Sequence, residues 1–317
     1  MPIIAKTKEE LVSEIKNLSP ITSNDMDLYD AFFKKESLSN YANNFSYITQ
    51  ACRNLGMQGF KFVTDETLIS LGYHNGHFVI VRPLGNKAIE SVESIAAQLF
   101  DLSRLPVYLK HLSESQAISL SNNRKIIEMA QYPWEQECPL DDDTFPQAII
   151  NLQNMVGNAI NKPENAKIRL RVNRFKNFFT EELQFVKYSP DVIPQQMDIA
   201  YGIVSRCAKD LTSYINMIKH PVNSNFNLLL YIGEKPIGFY VFGRIGNSEL
   251  GCFANICDYM NYPALCEAAL INAFNFLYES GIEKVNLGGS EIENLHRFKL
   301  KLNPSTLKNT SHKVYKP

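Results

Sequence analysis

The chain has 317 residues, 45% of them hydrophobic and 21% charged, with a formal net charge of −1. This is ordinary globular composition, long enough for two domains or one duplicated one. It excludes a polycation that grips nucleic acid over its whole surface, so any such contact must come from a local patch.

The opening MPIIAKTKEELVSEIKNL reads as a charged amphipathic helix, without the apolar core and small-residue cleavage site of a signal peptide. The chain to about residue 55 reads as helical, with polar breaks at Ser19-Pro20 and Ser23-Asn24. A hairpin follows. Residues 60–63 are short and alternating, residues 67–73 follow, His74-Asn75-Gly76 offers a turn that accepts positive φ, and residues 77–81 return. His74 and His77 read as turn residues rather than ligands. Residues 91–104 have helical spacing with Ile95, Leu99 and Leu102 on one face, and 107–109 is a strand. Residues 134–143 form an acidic, proline-containing loop, and 145–160 are expected to be helical.

Residues 167–176 are a basic helix whose cations do not share one face. Residues 183–188 are a strand, and 194–211 a helix. Three strands then follow at 227–232, 237–245 and 250–257, joined by the tight turns 233–235 and 246–248. Residues 263–280 are a strongly apolar helix closed by Gly281 at the position after its C-cap. Residues 284–287 are a buried strand, and Gly288-Gly289-Ser290 leads into a last helix over 291–302. Strand, strand, strand, helix, strand therefore occurs twice. The expected division is 1–120, a connection over 121–165, and 166–317.

The six cysteines form no C-x-x-C pair and are expected to be reduced, mostly buried thiols. Cys252 and Cys257 should point to opposite faces of a strand. No H-E-x-x-H, Walker loop, Rossmann glycine run or G-x-S-x-G elbow occurs, so no metal site or tightly bound cofactor is expected. No run reaches the ~18 uninterrupted apolar residues of a membrane span, and HKVYKP carries no lipidation motif. A cytoplasmic location is expected.

An antiparallel three-strand meander, a helix and a parallel strand are the element order of the GNAT acyltransferases. Four stretches carry a more specific resemblance. They are Tyr41-Ala42-Asn43-Asn44-Phe45-Ser46-Tyr47; Pro139-Leu140-Asp141 followed by Arg169-Leu170-Arg171-Val172-Asn173-Arg174-Phe175; Ile237-Gly238-Phe239; and Val285-Asn286-Leu287-Gly288-Gly289-Ser290 with Phe298-Lys299-Leu300-Lys301-Leu302-Asn303-Pro304. In that order they resemble the C-terminal catalytic domain of phosphatidylglycerol lysyltransferases, a tandem GNAT family related to the Fem-type aminoacyltransferases. The resemblance implies an α/β (α+β) chain of two GNAT-like halves, with mixed sheets flanked by helices. It also implies transfer of an acyl or aminoacyl group to an amine, whether small molecule, peptide or lipid headgroup.

The donor stays open. Acyl-CoA members carry a glycine loop that turns backbone N–H groups toward pyrophosphate. The corresponding stretch here, Asp258-Tyr259-Met260-Asn261-Tyr262-Pro263-Ala264, has no glycine. An aminoacyl-tRNA or an acyl group on a carrier protein therefore stands beside acyl-CoA as co-substrate.

Asp258 is a candidate proton acceptor, or else an N-cap for the next helix. Ser290 is a candidate catalytic residue, or the cap of a Ser290–Glu293 capping box. Lys299 resembles the family's lysine, which would polarise a carbonyl or meet a donor phosphate. Tyr259, Gly288, Gly289, Glu291 and His296 are candidate substrate-binding residues, the glycines through freed N–H groups. Glu293 and Arg297 are spaced for a surface pair. Arg169, Arg171 and Arg174 are candidates for holding a donor or polyanion such as tRNA. The alternative is a non-catalytic GNAT-fold module that binds RNA or a protein partner.

Overall fold

The computed structural model describes residues 15, 17–36, 39–53, 59–74, 77–128, 145–188, 194–208, 211–219, 221–222, 225–290, 292–308 and 311–317. The expected N-terminal helix over the first residues, the Asn75-Gly76 turn, the acidic loop with Pro139-Leu140-Asp141, and Glu291 lie outside them.

The chain divides into two compact units, Met1–Asp141 with Thr310–Pro317, and Asp142–Asn309. The first begins with β1 (Leu18–Pro20), α1 (Met26–Phe33), α2 (Phe45–Arg53), β2 (Phe60–Thr64), β3 (Thr67–His74) and β4 (His77–Leu84). It continues with α3 (Ala88–Ser103), β5 (Val107–Leu112), α4 (Glu114–Leu120) and β6 (Ile126–Glu128). The second contains β7 (Gln147–Asn151), α5 (Ala166–Phe178), β8 (Leu183–Lys187), α6 (Pro194–Cys207), α7 (Leu211–Lys219) and β9 (Phe226–Ile232). It goes on through β10 (Lys235–Arg244), β11 (Glu249–Cys257), α8 (Leu265–Glu279), β12 (Lys284–Asn286), α9 (Glu293–Lys301) and β13 (Thr306–Lys308). The chain closes with β14 (Ser311–Tyr315), which belongs to the first unit.

The first sheet has the order β1-β2-β3-β4-β5-β14-β6. Only β4 and β5 run parallel, because α3 carries the chain across between them. Val92, Ile95, Ala96 and Leu99 line the buried stripe of α3, against Ile69, Phe78, Ile80 and Leu109 of the sheet. Ser113 and Gln116 start α4 with a reciprocal capping box. Two readings are corrected here. Residues 18–20, expected within a helical segment, pair with β2 as a strand. Residues 310–317, expected in the second half, return to the first unit, where β14 pairs with both β5 and β6 and covers two strand edges.

In the second unit the order is β13-β7-β12-β11-β10-β9-β8. Again one pair is parallel, β11 with β12, and the crossover is α8. The element order repeats as expected. Each unit has a meander, a crossover helix and a parallel strand, with a further antiparallel strand beyond: β14 in the first and β7 in the second. Both sheets are mixed and flanked by helices. The core of this unit joins Leu228, Leu230, Tyr240 and Phe242 from the sheet to Leu270, Phe274 and Leu277 from α8.

The helix expected over 145–160 is instead β7 followed by short 3-10 turns. Four of the five residues of β7 are buried, and a strand covered on both faces has no alternation to distinguish it from buried helix. The helix expected over 194–211 ends at Cys207, and α7 follows as a separate element. Gly281, with φ +82°, ends α8 as expected.

Candidate functional site

The site is built where two parallel strands part. β11 pairs with β12 only at Glu249–Lys284, Leu250–Val285 and Gly251–Asn286. Beyond that point β11 runs on along β10 to Cys257. The other chain stays with the β7 side: Leu287 N–H donates to Ala148, Ala148 N–H to Gly288, and Phe145 N–H to Ser290. Beyond Gly251–Asn286 the two strands therefore diverge.

A β-bulge sits at the parting. Val241 faces Ala254 and Phe242 faces Cys252, which leaves Phe253 as the extra residue on β11. A bulge re-aims the side chains after it. It corrects the expectation for the two strand cysteines: Cys252 and Cys257 both pack against the same core, not on opposite faces. Burial pushes the Cys252 thiol up to about 12, with Lys299 acting weakly against it, so this thiol stays protonated.

The glycine turn after β12 is tied down by side chains. Asn286 is buried, donates from its amide to Gln147 Oε1 at 3.0 Å, and accepts the Gly288 N–H at 2.9 Å. Gly288 takes the left-handed conformation at φ +71°. Lys299 is buried on α9 and donates to the carbonyls of Gly288, at 3.2 Å, and Gly289. The turn thus offers the lysine its carbonyls, and its first N–H is already engaged by Asn286.

Ser290 does not start the last helix. Its backbone bridges Phe145, α9 begins at Glu293, and the residue at the N-cap is Ile292, so the expected capping box is replaced by a bridge. The Ser290 hydroxyl is buried and has no hydrogen-bond partner among the described residues. His296 stacks on Phe145, with ring centroids 4.8 Å apart and planes 14° from parallel, and its buried Nδ1 likewise has no partner among the described residues. Glu293 and Arg297 form the expected surface pair at 2.6 Å.

Asp258 follows the last residue of β11 and is 7% exposed. The Asn261 amide donates to both its carboxylate oxygens at 2.9 Å. It does not cap α8, whose N-cap is Ala264 at φ +64°. Ala264 adopts the left-handed turn that glycine ordinarily supplies, so the missing glycine did not remove the turn. Tyr259 is 52% exposed, Lys235 lies over the ring of Tyr262, and a side-chain hydrogen bond with Tyr262 raises the Lys235 ammonium.

The N-terminus of α8 already holds a carboxylate. Glu267 in its first turn is 4% exposed and accepts from Arg171 Nε at 3.0 Å. Anionic side chains are favoured at this end of a helix. The three arginines of α5 go different ways. Arg169 donates to the carbonyls of Ile160, Asn161 and Lys162, Arg171 pairs with Glu267, and Arg174 lies over the Phe178 ring. Strand, turn and α9 therefore gather Gly288, Gly289, Ser290, His296 and Lys299, while Asp258 and Tyr259 stand at the far end of β11.

Sequence reasoning missed a buried polar network in the first unit. Arg82, 1% exposed at the end of β4, donates to Glu36 at 2.7 Å and to Asn43 at 2.7 Å. Burial lowers its pKa and Glu36 works against that. The signal was the polar Tyr41–Tyr47 stretch, whose Asn43 supplies one acceptor. Among the described residues, no group of three or more His, Cys, Asp or Glu side chains could hold a metal ion, and no helix is long and apolar enough to cross a membrane.

No protein-family model and no curated protein matches the chain. Solved structures do. A conserved protein of unknown function from Bacteroides thetaiotaomicron matches at TM-score 0.71 and 17% identity, over 94% of this chain and 99% of that one. The C-terminal domain of a putative lysylphosphatidylglycerol synthetase from Agrobacterium fabrum matches at TM-score 0.63 and 12% identity, over 93% of each chain. A tandem GNAT protein from the clavulanic acid biosynthesis pathway matches at TM-score 0.53 and 7% identity, over 94% and 97%. At these identities the likeness is one of fold, and it agrees with the resemblance carried by the sequence motifs: the chain has the tandem GNAT fold of the lysylphosphatidylglycerol synthetase C-terminal domain.

Proposed function

We propose that the chain is an acyl- or aminoacyl-transferase that forms an amide bond on an amine acceptor, with the reacting carbonyl held in the parting between β11 and β12. The observation that carries this is the parting itself: β11 and β12 pair only as far as Gly251–Asn286, with a bulge on β11 at that point and the turn 288–290 opposite. A carbonyl placed in such a parting meets backbone dipoles of fixed orientation, which stabilise the oxyanion of a tetrahedral intermediate. The donor ester or thioester is already activated, so positioning supplies most of the catalysis.

In this reading the amine nitrogen attacks the donor carbonyl and a C–N bond forms. Asp258 takes the amine's proton, directly or through water. The C–O or C–S bond to the carrier then breaks, the leaving oxygen or sulfur takes a proton from water relayed by the Ser290 hydroxyl, and Asp258 returns its proton to solvent. Lys299 positions Gly288 and Gly289, and His296 and Tyr259 border the acceptor. The carboxylate of Glu267, paired with Arg171, already takes the place of an anion at the start of α8. That favours an aminoacyl ester of tRNA or a carrier-bound acyl group over acyl-CoA. An acceptor of the lipid-headgroup type fits the name of a protein that shares the fold.

The test is incubation of the purified chain with charged tRNAs, acyl-carrier thioesters and acyl-CoAs against a panel of amines, read by product mass. Transfer that disappears in Asp258→Asn and Ser290→Ala supports the site. If no donor is consumed, yet the chain binds RNA or a protein with an affinity that drops in Arg174→Ala, it is a non-catalytic binding module.

A further inference from the structure

We infer that Cys257 and Cys266 form a redox modification site, a thiol pair that a low-molecular-weight disulfide converts to an intramolecular disulfide. Their Sγ atoms lie 3.5 Å apart. One ends β11 and the other stands in the first turn of α8, so the pair spans the loop 258–264, which carries Asp258 and Tyr259. A disulfide bond needs an S–S separation of about 2.05 Å. The remaining approach is about 1.5 Å.

The two thiols are unequal. Cys257 is buried, whereas Cys266 is only partly buried and can be reached. The hydrogen bond between them holds the Cys266 thiol below its ordinary range, with help from its own backbone N–H at the helix start and from Arg171, against burial and Glu267. The same contact, together with burial, raises Cys257. Cys266 is thus the attacking thiolate and Cys257 the resolving thiol. Tyr240, buried beside them, stays protonated, its pKa pushed up by burial.

The chemistry closes without metal. The Cys266 thiolate attacks one sulfur of the oxidant disulfide, whose S–S bond breaks and releases one thiolate. Cys257 then loses its proton to solvent and attacks Cys266 Sγ in the mixed disulfide. The Cys257–Cys266 bond forms and the second small thiolate leaves. Two protein thiols are oxidised, and one small disulfide is reduced to two thiols. The site does not rest on the transfer reaction proposed above.

The full-length chain, treated with oxidised glutathione and alkylated, should yield one peptide pair joined through Cys257 and Cys266, reversed by dithiothreitol. In Cys257→Ser the reaction should stop at a stable glutathione adduct on Cys266, since the resolving sulfur is gone. In Cys207→Ser the internal bond should still form. A bond that maps to any other pair would overturn the assignment, as would a lasting glutathione adduct on wild-type Cys266, or no change at Cys257 and Cys266. The wild-type peptide map decides this alone if a variant fails to fold.

Discussion

Lys299 Nζ lies 3.2 Å from the carbonyl oxygen of Gly288 and also reaches the Gly289 carbonyl, so a cation on α9 holds the end of the last strand of the parallel pair. The lysine is buried, and its charge is solvated by backbone dipoles.

Lys299→Met should remove those charge-assisted bonds; the Gly288 carbonyl keeps the Ala148 N–H, and the Gly289 carbonyl loses its lysine donor. A stability loss of about 2 kcal/mol is expected. Urea unfolding should show a lower midpoint at unchanged slope. An unchanged midpoint would mean the lysine does not hold the turn.

Ser290→Ala separates function from stability. The hydroxyl is buried without a partner among the described residues, so deleting it removes an unsatisfied group. Thermal unfolding should move by no more than ~0.5 kcal/mol, or slightly upward. Transfer, if the hydroxyl serves the leaving group, should fall by ~100-fold. A variant that loses stability instead would place Ser290 in the framework.

Arg171 and Glu267 should be coupled. Glu267 is buried and Arg171 half-exposed, so solvent screens part of the attraction. A double-mutant cycle with Arg171→Met and Glu267→Gln should give a coupling of about 1 kcal/mol. Zero coupling would make the pair incidental.

Asp25 predicts a pH dependence in the first unit. Burial raises its carboxyl, but Lys61 at 2.8 Å and the Thr22 N–H at 2.7 Å together outweigh that and hold it below the ordinary aspartate range. Its folded pKa is therefore below its unfolded one. The stabilisation is present above the unfolded value near 3.8 and is lost as pH falls through the folded value. In Asp25→Asn, the acid limb of a stability-versus-pH curve should be shallower below about pH 4 than in the parent. Identical limbs would show that this carboxylate contributes nothing.

Gly251 marks where β11 and β12 stop pairing. A Cβ there would meet the Phe253 ring at 2.8 Å and Ile245 Cγ2 at 3.2 Å. Gly251→Ala should cost ~1–3 kcal/mol and shift the bulged ring. Calorimetric unfolding within error of the parent would show that the bulge gives way freely.

Much of the fold was legible because its signals are local. The three strands over 227–257 announce themselves by short apolar runs with turn residues between them, and α8 by an apolar run closed by Gly281. The candidate turn 288–290 was legible through its glycines. The strand β7 was not, since burial on both faces erases its period.

What the sequence by itself determined is the order of elements, their repetition, and the residue types available at the ends of β11 and β12. What only the tertiary structure decided is which of those groups meet. Asp258 turned out to hold Asn261 rather than cap α8, and Ser290 to bridge Phe145 rather than start α9. The single extra residue at Phe253 set Cys252 and Cys257 on the same core, and a loop closure brought Cys257 to Cys266. The physical reason is range. Turns, caps and periodicity act over a few neighbouring residues, whereas a bulge, a strand parting or a thiol contact is fixed by packing between segments far apart in the chain.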